Sequence, residues 1–161
     1  PFPLGPIDTE ALPEHPARAN PNLYRRFGPE DGFNPDRAYE GGKRWLDVTT
    51  QGVGLLNFNG IMGTLDHALG YALCAIHSPH TQRTHAIVYS DNFAQAVLNG
   101  QLVVGAEDFG TPGGYLYVPL ELHAGWNTFI VKLINNRGDW FLRALVADPA
   151  GNLEFAPAPR E

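Results

Sequence analysis

Cysteine is nearly absent from this chain. Cys74 stands alone, so no disulfide can close within it. It sits in the apolar run Ala68–Ile76 and reads as a small buried hydrophobe rather than a reactive thiol. Serine is scarce too. Ser78 and Ser90 are the only two, and neither lies in Gly-x-Ser-x-Gly, which excludes a nucleophile elbow. Long apolar runs are missing: they stop at about ten residues, too short for a membrane-spanning helix. A basic cluster is missing as well. Arg25-Arg26 is the nearest approach, and Glu30 and Asp31 follow it closely. With a formal net charge of −6, the surface repels phosphate backbones and anionic lipid. Neither nucleic acid nor a membrane is an expected partner. No secretory leader is recognisable, and the start at Pro1 suggests a processed product or a piece of a longer protein.

What is present points to strands. The chain has 161 residues, 43% apolar and 11% aromatic, with 18 glycines and 14 prolines but only 17% charged residues. That length suits one domain with its own core. Many glycines and prolines with few charges suit short strands joined by turns.

Eight of the 14 prolines fall before residue 36. Proline lacks a backbone donor, so residues 1–42 cannot join a central strand. Their apolar side chains, among them Leu23, Tyr24, Phe27 and Phe33, are too many for a free linker. The expectation is an extended strap lying on the domain or linking it to a neighbour, with one helical turn near Asn22–Phe27. Residues 43–156 read as the β module, and 157–161 as a fraying tail. Strands are expected at Lys43–Thr49, Gly52–Phe58, Ala68–His77 and Arg83–Ser90. Ala94–Val104 should be a hairpin about Asn99-Gly100, since that pair suits the two positive-φ positions of a type I′ turn. Tyr115–Leu122, with Pro119 marking an edge, Trp126–Asn135, Trp140–Asp148 and Leu153–Phe155 complete the set. Eight or nine strands at roughly ten-residue spacing predict an all-β, two-sheet antiparallel sandwich. No convincing amphipathic helix is visible.

The order of these segments is itself informative. A strand ends in Ile76-His77-Ser78-Pro79, the next in Tyr89-Ser90-Asp91-Asn92, and Val97-Leu98-Asn99-Gly100-Gln101-Leu102-Val103 follows. Then come Leu120-Glu121-Leu122-His123-Ala124-Gly125-Trp126-Asn127, Ile130-Val131-Lys132-Leu133 and Trp140-Phe141-Leu142-Arg143. About half the chain thus resembles the galactose-binding-like jelly-roll modules of bacterial carbohydrate-active and other exported enzymes. Two positions depart from that pattern: Asn92 replaces a second Asp, and Val97 a Trp. The resemblance implies a jelly roll with a Pro-rich N-terminal strap, secreted or periplasmic. It also implies a non-catalytic module that binds glycan or polysaccharide through loops at one end and neighbours other domains of a parent protein. Some members hold a structural calcium; others have no known ligand. The alternative is a structural or assembly domain that uses its arm to pack on a partner.

A sugar offers apolar C–H faces and hydroxyls, so its site needs an aromatic platform beside amides, carboxylates or guanidinium groups. The loop candidates are Trp140 with Asp139 and Arg137, Tyr115 after the glycine-rich loop with Glu107 and Asp108, and Asp91 with Asn92. Against them stand ordinary packing for Trp140 and turn capping for Asp91 and Asn92. Trp126 and Trp45 read as core. Calcium would find oxygens in the stretch Glu30, Asp31, Asn34, Asp36 and Glu40, with Asp31 and Asp36 the candidate ligands; a solvated acidic loop is the alternative. His77, His80 and His85 could meet across a hairpin, but no carboxylate or cysteine accompanies them at ligand spacing. Glu107, Asp108 and Asp139 lie in loops that could approach one another as a glycosidase-like carboxylate pair, but spacing in sequence does not show it. The expectation is a module that is not itself an enzyme, though it could be part of one.

Overall fold

The computed structural model describes residues 21–34, 36–50, 52, 54–108 and 114–160. The first twenty residues of the expected strap lie outside them. Nine strands are present among the described residues: β1 Leu55–Asn57, β2 Ala68–Ser78, β3 Gln82–Asp91, β4 Ala94–Leu98, β5 Gln101–Val104, β6 Gly114–Leu122, β7 Gly125–Asn135, β8 Phe141–Val146 and β9 Glu154–Ala156. They form a four-stranded sheet in the order β1-β8-β3-β6 and a five-stranded sheet in the order β5-β4-β7-β2-β9. Every pairing is antiparallel. β1 pairs with β8, β2 with β7, β3 with β6 and β4 with β5. A long hairpin rolled on itself has that nesting, so the sandwich is a jelly roll.

Local chemistry explains several joints. Asn99 and Gly100 have φ of 50° and 79°, as a type I′ hairpin requires. Pro119 lies on β6, the outer edge of its sheet, where a missing backbone donor costs no ladder bond. At Gly70 a Cβ would stand 2.8 Å from both Phe58 and Trp140, so only glycine lets those rings approach the strand. Phe58 and Trp140 stack at 4.8 Å between centroids and fill one end of the core.

Three expectations fail. Lys43–Thr49 is not a strand. Only the bridge from Lys43 to Tyr39 forms, and Leu55–Asn57 pairs with β8 instead. Trp45 packs beside Phe33 and Tyr39 of the arm, at 6.1 and 6.4 Å. A helical turn, α1 Phe58–Met62, follows β1 directly, and Asn59-Gly60 lies inside it. Asn57 starts it by accepting a bond from the Gly60 amide at 3.1 Å. Trp126 is only half-buried: it stacks edge-on against His77 at 5.1 Å.

Gly70 faces the interior, so its neighbours Leu69 and Tyr71 face outward. Residues 21–31 of the arm cover that outer side. The expected helical turn is a 3₁₀ turn at Pro21–Leu23, which packs on β7 and buries Leu23 fully. Glu30, in a second turn at Pro29–Asp31, reaches Lys132 at 2.8 Å and accepts a bond from the Tyr71 hydroxyl at 2.6 Å. Lys132 also donates to the Arg25 carbonyl. Tyr71 and Lys132 are cross-strand partners on β2 and β7. All three side chains are buried, so one ion pair with its hydrogen bonds clamps the arm to the sheet.

Candidate functional site

The four-stranded sheet has no such cover among the described residues. On β3, Ala86, Val88 and Ser90 point into the core, so Arg83, His85, Ile87, Tyr89 and Asp91 point out. On β6, Val118, Leu120 and Leu122 are buried, which turns Tyr115, Tyr117 and Glu121 outward. On β8, Leu142 is buried, and Phe141, Arg143 and Leu145 share the outer face. Tyr115 is 68% exposed and Tyr117 61%. Ile87 and Leu145 are exposed as well.

The rings form two linked sets. Tyr89 lies opposite Tyr115 in the β3–β6 register and packs against it at 4.8 Å. On its other side Tyr89 stacks on Phe141 at 5.4 Å and 20°. Tyr115, Tyr89 and Phe141 thus make a row across three strands. His85 stacks on Tyr117 at 4.5 Å and 22°. Rings that support one another lose little freedom when a flat ligand covers them. The far end is closed by the exposed ion pair of Arg83 with Glu121, at 2.8 Å.

The near end is polar, and most of the residues singled out in the sequence are there. Asp91 lies opposite Phe141 in the β3–β8 register. Burial, and then the charge of Asp139, raise the pKa of its carboxyl, so the two carboxylates feel each other. Arg137 and Asp139 are exposed on the loop that leads into β8. Asn92 is spent on the corner. Its Nδ2 donates to Asp91 at 2.8 Å, its Oδ1 accepts from the Asn136 amide at 2.6 Å, and its amide donates to Ile134 at 2.9 Å. Tyr115 joins these groups at the start of β6. Trp140 does not. It is fully buried against Phe58, so it offers no face to a ligand and is a core residue. Tyr117, Tyr89, Phe141 and Arg143 are not among the sugar-site candidates of the sequence, and His85 enters only with His77 and His80. The signal for them was the alternation in Arg83–Tyr89 and in Tyr115–Tyr117; what it lacked was which face stays bare.

The metal candidates are dispersed or engaged. Asp31 is held by Arg26 at 2.6 Å, and Glu30 is committed to Lys132. Asp36 is exposed. Among the described residues no group of three or more His, Cys, Asp or Glu is placed to hold a metal ion. His77 and His85 lie on different sheets. A cleft of about 890 Å³ opens between the sheets on the β1 and β9 side, lined by Trp45, Leu56, Ala72, Cys74, Phe129 and Val146, among others. Burial raises the pKa of the Cys74 thiol, which keeps it protonated there. The cleft suits apolar packing, whereas the sheet face combines flat rings with charge.

No protein-family model, curated protein or solved structure matches the chain.

Proposed function

We propose that the protein is a non-catalytic carbohydrate-binding module, an accessory part of a larger exported carbohydrate-active protein, and that it docks glycan on the bare face of its four-stranded sheet. The row of Tyr115, Tyr89 and Phe141, with Tyr117 beside it, carries the reading. Pyranose rings present apolar C–H groups that pack against exposed ring surface such as that of Tyr115 and Tyr117, and an open sheet face suits an extended chain of sugars better than a single enclosed one. Asp91, Arg137 and Asp139 supply acceptors and donors for hydroxyls at one end. The resemblance to galactose-binding-like jelly rolls supports the same class, although the site moves from the loops onto the sheet. The alternative of an assembly domain grasping a partner with its arm is less favoured, because Leu23, Arg25 and Glu30 of the arm are engaged by the chain's own sheet.

The test is affinity gel electrophoresis of the full chain through a panel of plant, algal and bacterial polysaccharides. At least one polymer should retard the protein. Tyr115→Ala with Tyr117→Ala should abolish the retardation, while Asn92→Ala should not be needed for it. Retardation that survives the double tyrosine variant would place the site elsewhere.

A further inference from the structure

Arg143 differs from the other cations that the two sheets bury or pair. Arg83 is matched by Glu121 and Lys132 by Glu30. Arg25 and Arg26 on the arm are matched by Glu40 and Asp31. Arg143 has no ion pair among the described residues, and its Nε is buried without a hydrogen-bond partner. It is half-buried in the middle of the aromatic face. Tyr89 is its cross-strand neighbour on β3, Leu55 its neighbour on β1, and Phe141 and Leu145 flank it along β8. The nearest carboxylate in register is Asp91, one diagonal step away, and the two form no ion pair. Removing a guanidinium partly from water without giving it an anion is unfavourable. A ligand that brought the anion would relieve that cost.

We infer that the glycan bound by this face carries carboxylates, that is, a uronic-acid polysaccharide whose carboxylate pairs with Arg143 while its rings lie on Tyr89, Tyr115 and Phe141. The inference rests on the glycan-binding reading above and names its ligand class. A planar carboxylate matches the planar guanidinium fork. In a pyranuronate the carboxylate lies near the mean plane of the ring, so a ring stacked flat on the sheet offers it sideways to a group at the same level. The protein's own acids do not forbid this. Glu121 is neutralised by Arg83, and Asp91 and Asp139 sit together at one end of the face.

Isothermal titration of the full chain with polygalacturonate, neutral galactan and dextran sulfate separates the outcomes. Polygalacturonate should bind more tightly than galactan, and raising the ionic strength should weaken only the former. Arg143→Gln should weaken polygalacturonate about tenfold or more. Arg143→Lys should recover part of that loss, since it restores charge but not the fork. Thermal melting of both variants should match that of the parent chain. Equal affinity for galactan and polygalacturonate, or an unchanged affinity in Arg143→Gln, would overturn the carboxylate while leaving glycan binding in place. Tighter binding of dextran sulfate than of polygalacturonate would also overturn it. Silence with every polysaccharide would bring down the glycan-binding reading too.

Discussion

The outer faces of the two sheets start from similar material and end differently. Each carries tyrosine, aliphatic side chains and a basic residue near its centre: Tyr71, Ile130 and Lys132 on one, Tyr89, Ile87 and Arg143 on the other. On the five-stranded sheet the arm supplies Leu23 for the apolar groups and Glu30 for the lysine. On the four-stranded sheet no described segment supplies either. The covered face shows what such a surface takes when the chain provides it, namely apolar cover and a carboxylate. The bare face lacks the same two things, which is why it reads as the place for an external partner.

The largest effect should come from stripping the covered face. Removing residues 1–42 exposes the apolar surface under Leu23 and strips Lys132 and Tyr71 of Glu30, their buried partner. The expected loss exceeds about 5 kcal/mol, enough to unfold a domain of ordinary stability. A truncated chain that still melted cooperatively at the parent's temperature would make the arm a bystander and erase the contrast between the faces.

Glu30→Gln tests the clamp more narrowly. It leaves the Lys132 ammonium buried without a counter-ion, and the urea unfolding free energy should fall by about 3–5 kcal/mol. Adding Lys132→Met should restore most of it, because methionine is of similar length and needs no counter-ion, while the glutamine carbonyl still accepts from the Tyr71 hydroxyl. Acid should act on the same group. Burial alone would raise the pKa of Glu30, but the hydrogen bonds from Lys132 and Tyr71 outweigh it and hold the carboxyl below its ordinary value. A carboxyl with a depressed folded pKa stabilises the fold above its unfolded pKa of about 4.3. That contribution is lost as pH falls from there through the lower, folded value. Acid denaturation should therefore show a step in that window for the parent chain, and the step should be missing in Glu30→Gln.

Which parts of this were legible in the sequence follows from what each signal encodes. The Asn99-Gly100 hairpin and the alternation of Trp126–Asn135 depend on neighbours a few residues away, and both are present as read. Lys43–Thr49 alternates just as well yet forms no strand: Leu55–Asn57 pairs with β8, and Trp45 packs beside Phe33 and Tyr39 instead. Trp140 follows a loop dense in Asn, Arg and Asp, which suggested a platform. Gly70, seventy positions earlier, opens the space that buries it. The aromatic face was half visible: Tyr115 and Asp91 were singled out, but the bareness of the whole face depends on which sheet the arm covers. No local pattern carries that, because the clamp joins Glu30 to Lys132 across 102 residues.

The smallest effect on stability should come from the bare face, and its smallness is informative. Tyr117 and Leu120 lie three residues apart on β6 and point to opposite sides of the sheet. Leu120→Ala empties a packed site and should cost about 2–5 kcal/mol in urea unfolding. Tyr117→Ala removes a larger side chain, but one already mostly in water and touching chiefly His85. Its cost should stay within about 0.5 kcal/mol. If stability rather than binding maintained the rings on this face, Tyr117 would cost as much as its buried neighbour. A loss of 2 kcal/mol or more in Tyr117→Ala would mean that the face is a structural surface. A negligible loss together with abolished retardation of the Tyr115→Ala, Tyr117→Ala chain would leave ligand contact as the work these rings do.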